Sequence, residues 1–379
     1  GTVRAELAKP EIRALVKPGM RIAVGVGSRG IQNLYTIVET TVNSLKELGA
    51  EPFIVSAMGS HGGGTEEGQR EVLAGYGITE ERLGVPVVTT VDTVYLGNCA
   101  NGRPVWFDRA AYEADLIVPI NRVKLHTDFV GPIQSGLCKM LVIGLGNHKG
   151  CSAVHEEAPE VFADAIEETA RLILQKAPVG FGIAILENAY DKTYAVEAVP
   201  AEHLVEREKE LVQIAKGNMP YIMLDEADVI VCGAIGKDIS GAGFDPNILG
   251  RSSVLKQFVL HIPRYQRLVL CDVTPASHGN GIGVGLFDVI TKKVAEQLDL
   301  ESMYANAIAC NCLGDASVPC TVDDEETAIR VALKCCRNID RDHPRIIRIQ
   351  NTLHLGEIEV SEALLDAVRA DSRMSLIEN

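Results

Sequence analysis

The sequence predicts two α/β domains with mostly parallel sheets and a cleft between them. Short apolar runs at residues 21–26, 51–57 and 114–120 alternate with amphipathic helical stretches, the pattern of βαβ units. The run ADVIVCGAI from Ala227 restarts what ADLIVPI from Ala114 began, although no regular repeat links the halves. The chain has 379 residues, beyond the roughly 250–300 at which a single hydrophobic core stops growing. We therefore divide it into residues 1–210 and 211–379, with the junction in the window 205–222.

In chain order, residues 21–26 read as a buried strand and 31–48 as a helix that closes at Gly49. Residues 51–57 give the next strand, and Thr65 caps a helix running to Tyr76. A strand region is expected over 85–96, a turn at 102–104 and a buried strand over 114–120. A helix follows over 159–176, a strand over 179–186 and a helix over 200–216. The charged face of that helix (Glu202, Glu206, Arg207, Glu208, Lys209, Glu210) is read as solvated. In the second half, 306–312 and 345–350 read as strands, and 325–336 and 361–368 as helices. The run from Cys320 to Glu326 reads as a capped helix start.

Hydrophobic residues make up 46% of the chain and charged residues 23%, which marks it as globular throughout. A net charge of −15 without a clustered basic surface excludes nucleic acid as a partner. No apolar run approaches the roughly 20 residues of a membrane span, and no signal-peptide pattern opens the chain, so a cytoplasmic protein is expected. The ten cysteines are scattered, with no CxxC pair, and are expected to be reduced and largely core-forming. Cys310 with Cys312 and the vicinal Cys335 and Cys336 are included in that reading.

The chemistry concentrates at residues 118–155, which hold His126, Lys139, His148 and His155 among many glycines and apolar residues. Lys139 lies in LCKMLVIGL, an apolar setting that an ammonium avoids unless it has a partner or a task. His148 and His155 stand two helical turns apart, and with His126 they could form a metal site. Upstream, His61 sits in GSHGGGT at the carboxyl end of a strand, where open α/β sheets place ligands. The turn from Gly25 to Gly30 satisfies GxGxxG, but the second strand does not end in the acid that would hold ribose hydroxyls. A site for phosphate or another anion at that helix start, beside Arg29, is the reading that survives. Two glycine-dense polar loops, residues 236–251 and 274–283, follow strands of the second half and are expected to form a second wall of the cleft.

Taken together, GSHGGGT, VKLHTDFVGP, GLCKMLVIGLG and NHKGCSAVH resemble the lactate racemase family, the nickel-pincer enzymes. The resemblance spans most of the first half and implies a nickel-pincer nucleotide, pyridinium-3,5-bisthiocarboxylic acid mononucleotide, as cofactor. It implies His61 and His126 as acid/base residues on opposite sides of the substrate, with Arg29 stabilising the developing oxyanion. Lys139, Ser28, Arg29 and Gly30 are implied as cofactor-binding, and His155, with His148 as the alternative, as the nickel ligand. Val26 stands where the family has an Asp, so local contacts there differ. Residues 1–210 would then be the cofactor-binding and catalytic domain, and 211–379 the domain closing the substrate cleft.

In the second half, Asp245-Pro246-Asn247 matches a family turn, but Gly250 and Ser253 fall where lactate-specific members have Gln and Lys. Arg251, His278 and Asn280 are the substrate-binding candidates, and malate or an aldonate is favoured over lactate. The implied activity is inversion at C2 of a 2-hydroxy acid by proton-coupled hydride transfer. Its partners are the small substrate and cofactor-biosynthesis proteins for loading, with a homo-oligomer allowed. The alternatives are a nicotinamide-dependent 2-hydroxy acid dehydrogenase, a zinc-type hydrolase using His126, His148 and His155, and a non-catalytic cofactor carrier.

Overall fold

Buried, near-continuous apolar strands with helices between them can only be covered on both faces, and that is how the chain is built. A computed structural model describes residues 1–28 and 30–377. It divides into two compact units, Gly1–Met219 and Pro220–Asn379. The division follows the helix Leu204–Asn218, which belongs wholly to the first unit.

The strands of the first unit are β1 (Arg21–Val26), β2 (Glu51–Ser56), β3 (Val87–Val88), β4 (Thr93–Asn98), β5 (Pro104–Asp108), β6 (Leu116–Arg122), β7 (Phe181–Glu187) and β8 (Thr193–Pro200). Six of them form one sheet in the order β3-β2-β1-β6-β7-β8, while β4 and β5 make a separate hairpin. All neighbours in the six-stranded sheet are parallel except β7 and β8. The register pairs Val26 with Ser56 on one side and with Ile120 on the other, so β1 and β2 end level and β6 runs two residues further, to Arg122. Sheet order turns around β1, the topological switch at which such sheets hold ligands.

The helix Leu34–Glu47 covers this sheet with Leu34, Ile37, Val38, Val42 and Leu45, and Gly49 at φ 82° turns the chain out of it. Thr65 caps Glu66–Gly75 by accepting from the Gly68 N–H at 3.1 Å. Residues 137–145 form a short helical turn at Leu137–Lys139 and then a wide turn in which the Leu145 N–H donates to Met140 C=O at 2.8 Å.

The second unit has β9 (Val229–Cys232), β10 (Arg267–Leu270), β11 (Val289–Thr291), β12 (Cys320–Val322), β13 (Ile346–Ile349) and β14 (Glu359–Val360), in the order β12-β11-β10-β9-β13-β14. Only β13 and β14 run antiparallel. The α/β class with mostly parallel sheets is therefore the observed one.

Several expected elements differ. Residues 306–312 belong largely to a helix, Leu300–Ala309, because the Asp299 carboxylate accepts from the Glu301 and Ser302 N–H groups and starts it. The run from Cys320 begins as edge strand β12, and the cap is Asp324, whose carboxylate accepts from the Thr327 N–H at 2.8 Å. The region 85–96 is broken into β3 and the start of β4, and β8 had no separate expectation. Glu208 is fully buried, not solvated.

Packing beneath the Lys139 segment is tight at Gly182 of β7, where an added Cβ would lie 2.6 Å from the Leu137 side chain. Gly182→Ala is expected to lower stability by about 1–3 kcal/mol through overpacking, read by urea unfolding. Wild-type stability in that variant would mean that Leu137 has room to move aside.

Candidate active site

Three loops leave the carboxyl ends of β1, β2 and β6, and each delivers a candidate residue. After β1, the Ser28 hydroxyl meets Nδ1 of His61, and the Tyr76 hydroxyl donates to the Ser28 carbonyl at 2.9 Å. Gly30 is exposed, and a Cβ there would meet nothing within 4 Å. Arg29 lies outside the described residues.

His61, itself exposed, follows β2 and precedes Gly62, Gly63 and Gly64, all in the left-handed region at φ 65°, 68° and 63°. A Cβ at Gly62 would lie 2.7 Å from the Gln69 backbone nitrogen, so the loop needs glycine there for space as well as conformation. Gln69, fully buried, fastens the loop. Its amide donates to the carbonyls of Gly59 (3.0 Å) and His61 (3.3 Å), and its Oε1 accepts from the Ser56 hydroxyl at 2.6 Å.

His126 follows β6, and a second buried glutamine fastens it: Gln134 Oε1 accepts the His126 N–H at 2.7 Å, while its amide donates to Gly131 C=O at 3.1 Å. The Asp128 N–H donates to His126 Nδ1 at 3.0 Å, so in the neutral ring the proton belongs to Nε2. That Nε2 contacts Lys139 Nζ. The ring stacks on Phe129 with centroids 4.3 Å apart, and Lys139 Nζ stands 5.8 Å from the same ring. Phe129 in turn meets Phe162 at 4.8 Å, and Phe162 meets His155 edge-on at 5.2 Å. An aromatic line thus connects His126 to His155.

His148 and His155 stand near opposite ends of the nine-residue helix Asn147–His155, so the structure treats them differently. His148 is exposed beside the glycine loop, its Cβ 3.9 Å from where a Cβ would stand at Gly64. His155 Nδ1 bonds to the Cys151 carbonyl at 2.7 Å, which fixes Nδ1–H and leaves the Nε2 lone pair of an exposed ring to a ligand. Cys151 Sγ lies 3.5 Å from His155 Nδ1 and 3.7 Å from the Ser60 hydroxyl. Burial pushes the Cys151 thiol up, but the His155 ring and Ser60 outweigh it and hold the thiol below its ordinary value. The same contact raises the His155 ring against the effect of burial.

The helix start is pinned by Asp108, whose carboxylate accepts from the Ala111 N–H at 2.9 Å and the Asn147 amide at 2.9 Å. Asn147 is itself buried at φ 51°, a strained position that this bond helps to hold. Burial pushes the Asp108 carboxyl up to about 6, against the pull of those donors.

In the second unit, Arg251 donates to Leu286 C=O at 2.8 Å and pairs with Asp288 at 2.7 Å. His278 is exposed at φ 48°. Asn280 donates to Asn306 Oδ1 at 3.3 Å and accepts from the Ile282 N–H at 3.2 Å. The two glycine-dense loops are tied to each other through the Lys237 N–H and Ser277 Oγ (2.8 Å), and Thr274 Oγ1 to Asp238.

Among the described residues, no group of three His, Cys, Asp or Glu side chains is gathered as a metal cluster. The set His126, His148 and His155 is therefore not assembled. Gln69, Gln134, Phe129, Phe162 and Cys151 all bear on the site and had no expectation. Gln69 carried one readable signal: it sits four residues before Leu73, on the apolar side of a helix.

Residues 2–164 match the lactate racemase N-terminal domain family. In fold, the chain is similar to the lactate racemase apoprotein from Thermoanaerobacterium thermosaccharolyticum, at 14% identity and a TM-score of 0.55, over 93% of this chain and 91% of that one. It is also similar to a protein of known structure from Thermotoga maritima, at 13% identity and a TM-score of 0.51, over 95% and 85% of the two chains. No curated protein matches in sequence.

Gln69→Leu strips two carbonyls and a buried hydroxyl of their partner. Stability is expected to fall by about 1–3 kcal/mol, with faster hydrogen exchange confined to residues 59–64. Unchanged exchange there would show that the loop holds itself.

Proposed function

We propose, from the match of residues 2–164 to the lactate racemase N-terminal domain family, that the chain inverts C2 of a 2-hydroxy acid with a nickel-pincer nucleotide. The observation that carries the reading is the pair of histidines on the loops after β2 and β6, the strands either side of β1, each locked at its backbone by a buried glutamine and at Nδ1 by a separate partner. Rigid placement of two imidazoles is what proton transfer at two faces of one carbon requires.

The residues fit the cofactor. His155 offers Nε2 as a nickel ligand with its tautomer already set, and Lys139 offers an amine beside His126. Gly30 and Gly63 leave open space in which a nucleotide phosphate can approach the backbone. When bound, such a cofactor supplies reversible hydride acceptance at the substrate C2. The protein's part is proton handling: one histidine takes the hydroxyl proton as the C2–H bond breaks, and the other serves the opposite face. At His126, Nε2 is the ring nitrogen left to face a substrate, since Nδ1 is engaged by the Asp128 N–H.

We assign His278 and Asn280, with Arg251 retaining its Asp288 pair, to the substrate's far end, which favours malate or an aldonate over lactate. Cofactor-biosynthesis proteins would load the enzyme. Ten scattered cysteines without a CxxC pair support a cytoplasmic setting. Among the described residues, no helix is long and apolar enough to cross a membrane. The nicotinamide reading lacks support: β2 ends at Ser56, whose hydroxyl is spent on Gln69, where a ribose-binding acid would stand.

The test is incubation of cofactor-loaded protein with lactate, malate and aldonates in deuterated water, watching for inversion at C2. His61→Ala and His126→Ala are each expected to lower the rate by roughly 10²–10⁴-fold while nickel stays bound. His155→Ala is expected to lose nickel, and Lys139→Ala to lose the cofactor. Full inversion by either acid/base variant, or by protein stripped of nickel, would overturn the proposal.

A further inference from the structure

The turn that carries Lys139 rests on a buried carboxylate. Glu208, from the helix Leu204–Asn218, has no exposed surface. Its Oε2 accepts from the Cys138 N–H at 2.9 Å, one residue before Lys139, and its Oε1 is buried without a hydrogen-bond partner. The carboxylate fills the space that a side chain at Gly136 would need: a Cβ there would lie 2.5 Å from the carboxyl carbon. From the sheet, the Asn121 amide donates to Gly136 C=O at 2.8 Å, so successive peptides of the turn are held from two sides.

The charged groups around it are occupied among themselves. On the neighbouring helix Phe162–Lys176, Glu167 pairs with Arg171 at 2.7 Å and with Lys209 at 2.9 Å, and Arg171 also pairs with Glu206. On the turn itself, burial and then Glu208 push the Cys138 thiol well above its ordinary value. Among the described residues, no cation pairs with Glu208.

We propose that Glu208 is a positioning residue for Lys139, its carboxylate holding the Cys138 N–H of the turn so that the amine stays against His126. The proposal rests on the reading of Lys139 as the cofactor anchor. Burial pushes the Glu208 carboxyl up to about 7, against the pull of the Cys138 and Leu137 N–H groups. A carboxyl raised above its unfolded value of about 4.3 favours the fold most when protonated. That contribution is complete below about pH 4 and is lost as pH rises through about 7. Ionisation therefore costs global stability while strengthening the hold on the turn. The anchor is firmest just above neutrality.

The test uses the protein without cofactor, so its outcome is separable from whether the loaded enzyme racemises anything. Lys139 is labelled with an amine-reactive ester from about pH 6 to about pH 9 and compared, by peptide mass spectrometry, with the exposed Lys149. In the wild type, the ratio of the two labelling rates is expected to step by about fivefold near neutrality, the change that one ordinary hydrogen bond produces in an equilibrium. Glu208→Gln is expected to abolish the step, and its melting temperature relative to wild type is expected to rise from about pH 5.5 to about pH 8.5. Gly136→Ala approaches from the other side, displacing an intact glutamate, and is expected to abolish the step as well. A wild type without the step overturns the proposal whatever the variants do, and so does a folded Glu208→Gln or Gly136→Ala protein that keeps it.

Discussion

The parallel pairing of β1 with β2 and β6 is the constraint on which the rest depends. Because Val26 is level with both Ser56 and Ile120, three loops leave the same edge of the sheet. A one-residue slip of either neighbour would move its side chains to the opposite face and carry Ser28, His61 or His126 out of line. The apolar strands that enforce this register carry no catalytic group, yet they decide which polar groups meet. Ser28 and His61 are 33 residues apart in sequence and in contact because their strands are adjacent.

Loops built from glycine and polar residues cannot hold an imidazole in place unaided, and the braces here are buried amides. Gln69 and Gln134 come from different elements but do the same work, each satisfying backbone groups that a histidine loop would otherwise leave unpaired. Burying an amide is costly unless it is bonded, and in both residues the carbonyl and the amide nitrogen are used. The aromatic line Phe129–Phe162 extends the same support to His155, joining it to His126.

Strand identity, the parallel class and the loops bearing His61, His126 and Lys139 were legible because they rest on local signals: apolar runs, glycine clusters and caps. The supports were not. Gln134 and Phe129 sit in an irregular stretch with no periodicity to interpret. Glu208 lies among five other charged residues on one helix, and only the packing of the Leu137–Lys139 turn against that helix separates it from them. The helix Leu300–Ala309 was obscured for the opposite reason, since its short apolar end has the composition of a strand and its start depends on the Asp299 cap. His148 and His155 looked equivalent at seven residues apart; the bond from Nδ1 to the Cys151 carbonyl distinguishes them.

The contact between His126 Nε2 and Lys139 Nζ requires a lone pair on one side, since an ammonium and an Nε2–H ring cannot both donate to each other. Nδ1 already accepts from the Asp128 N–H, so Nε2 is the ring nitrogen that turns to the lysine. Under the proposed function, Lys139 would hold the cofactor beside the ring that handles the substrate's proton, so that one contact couples the placement of the two groups.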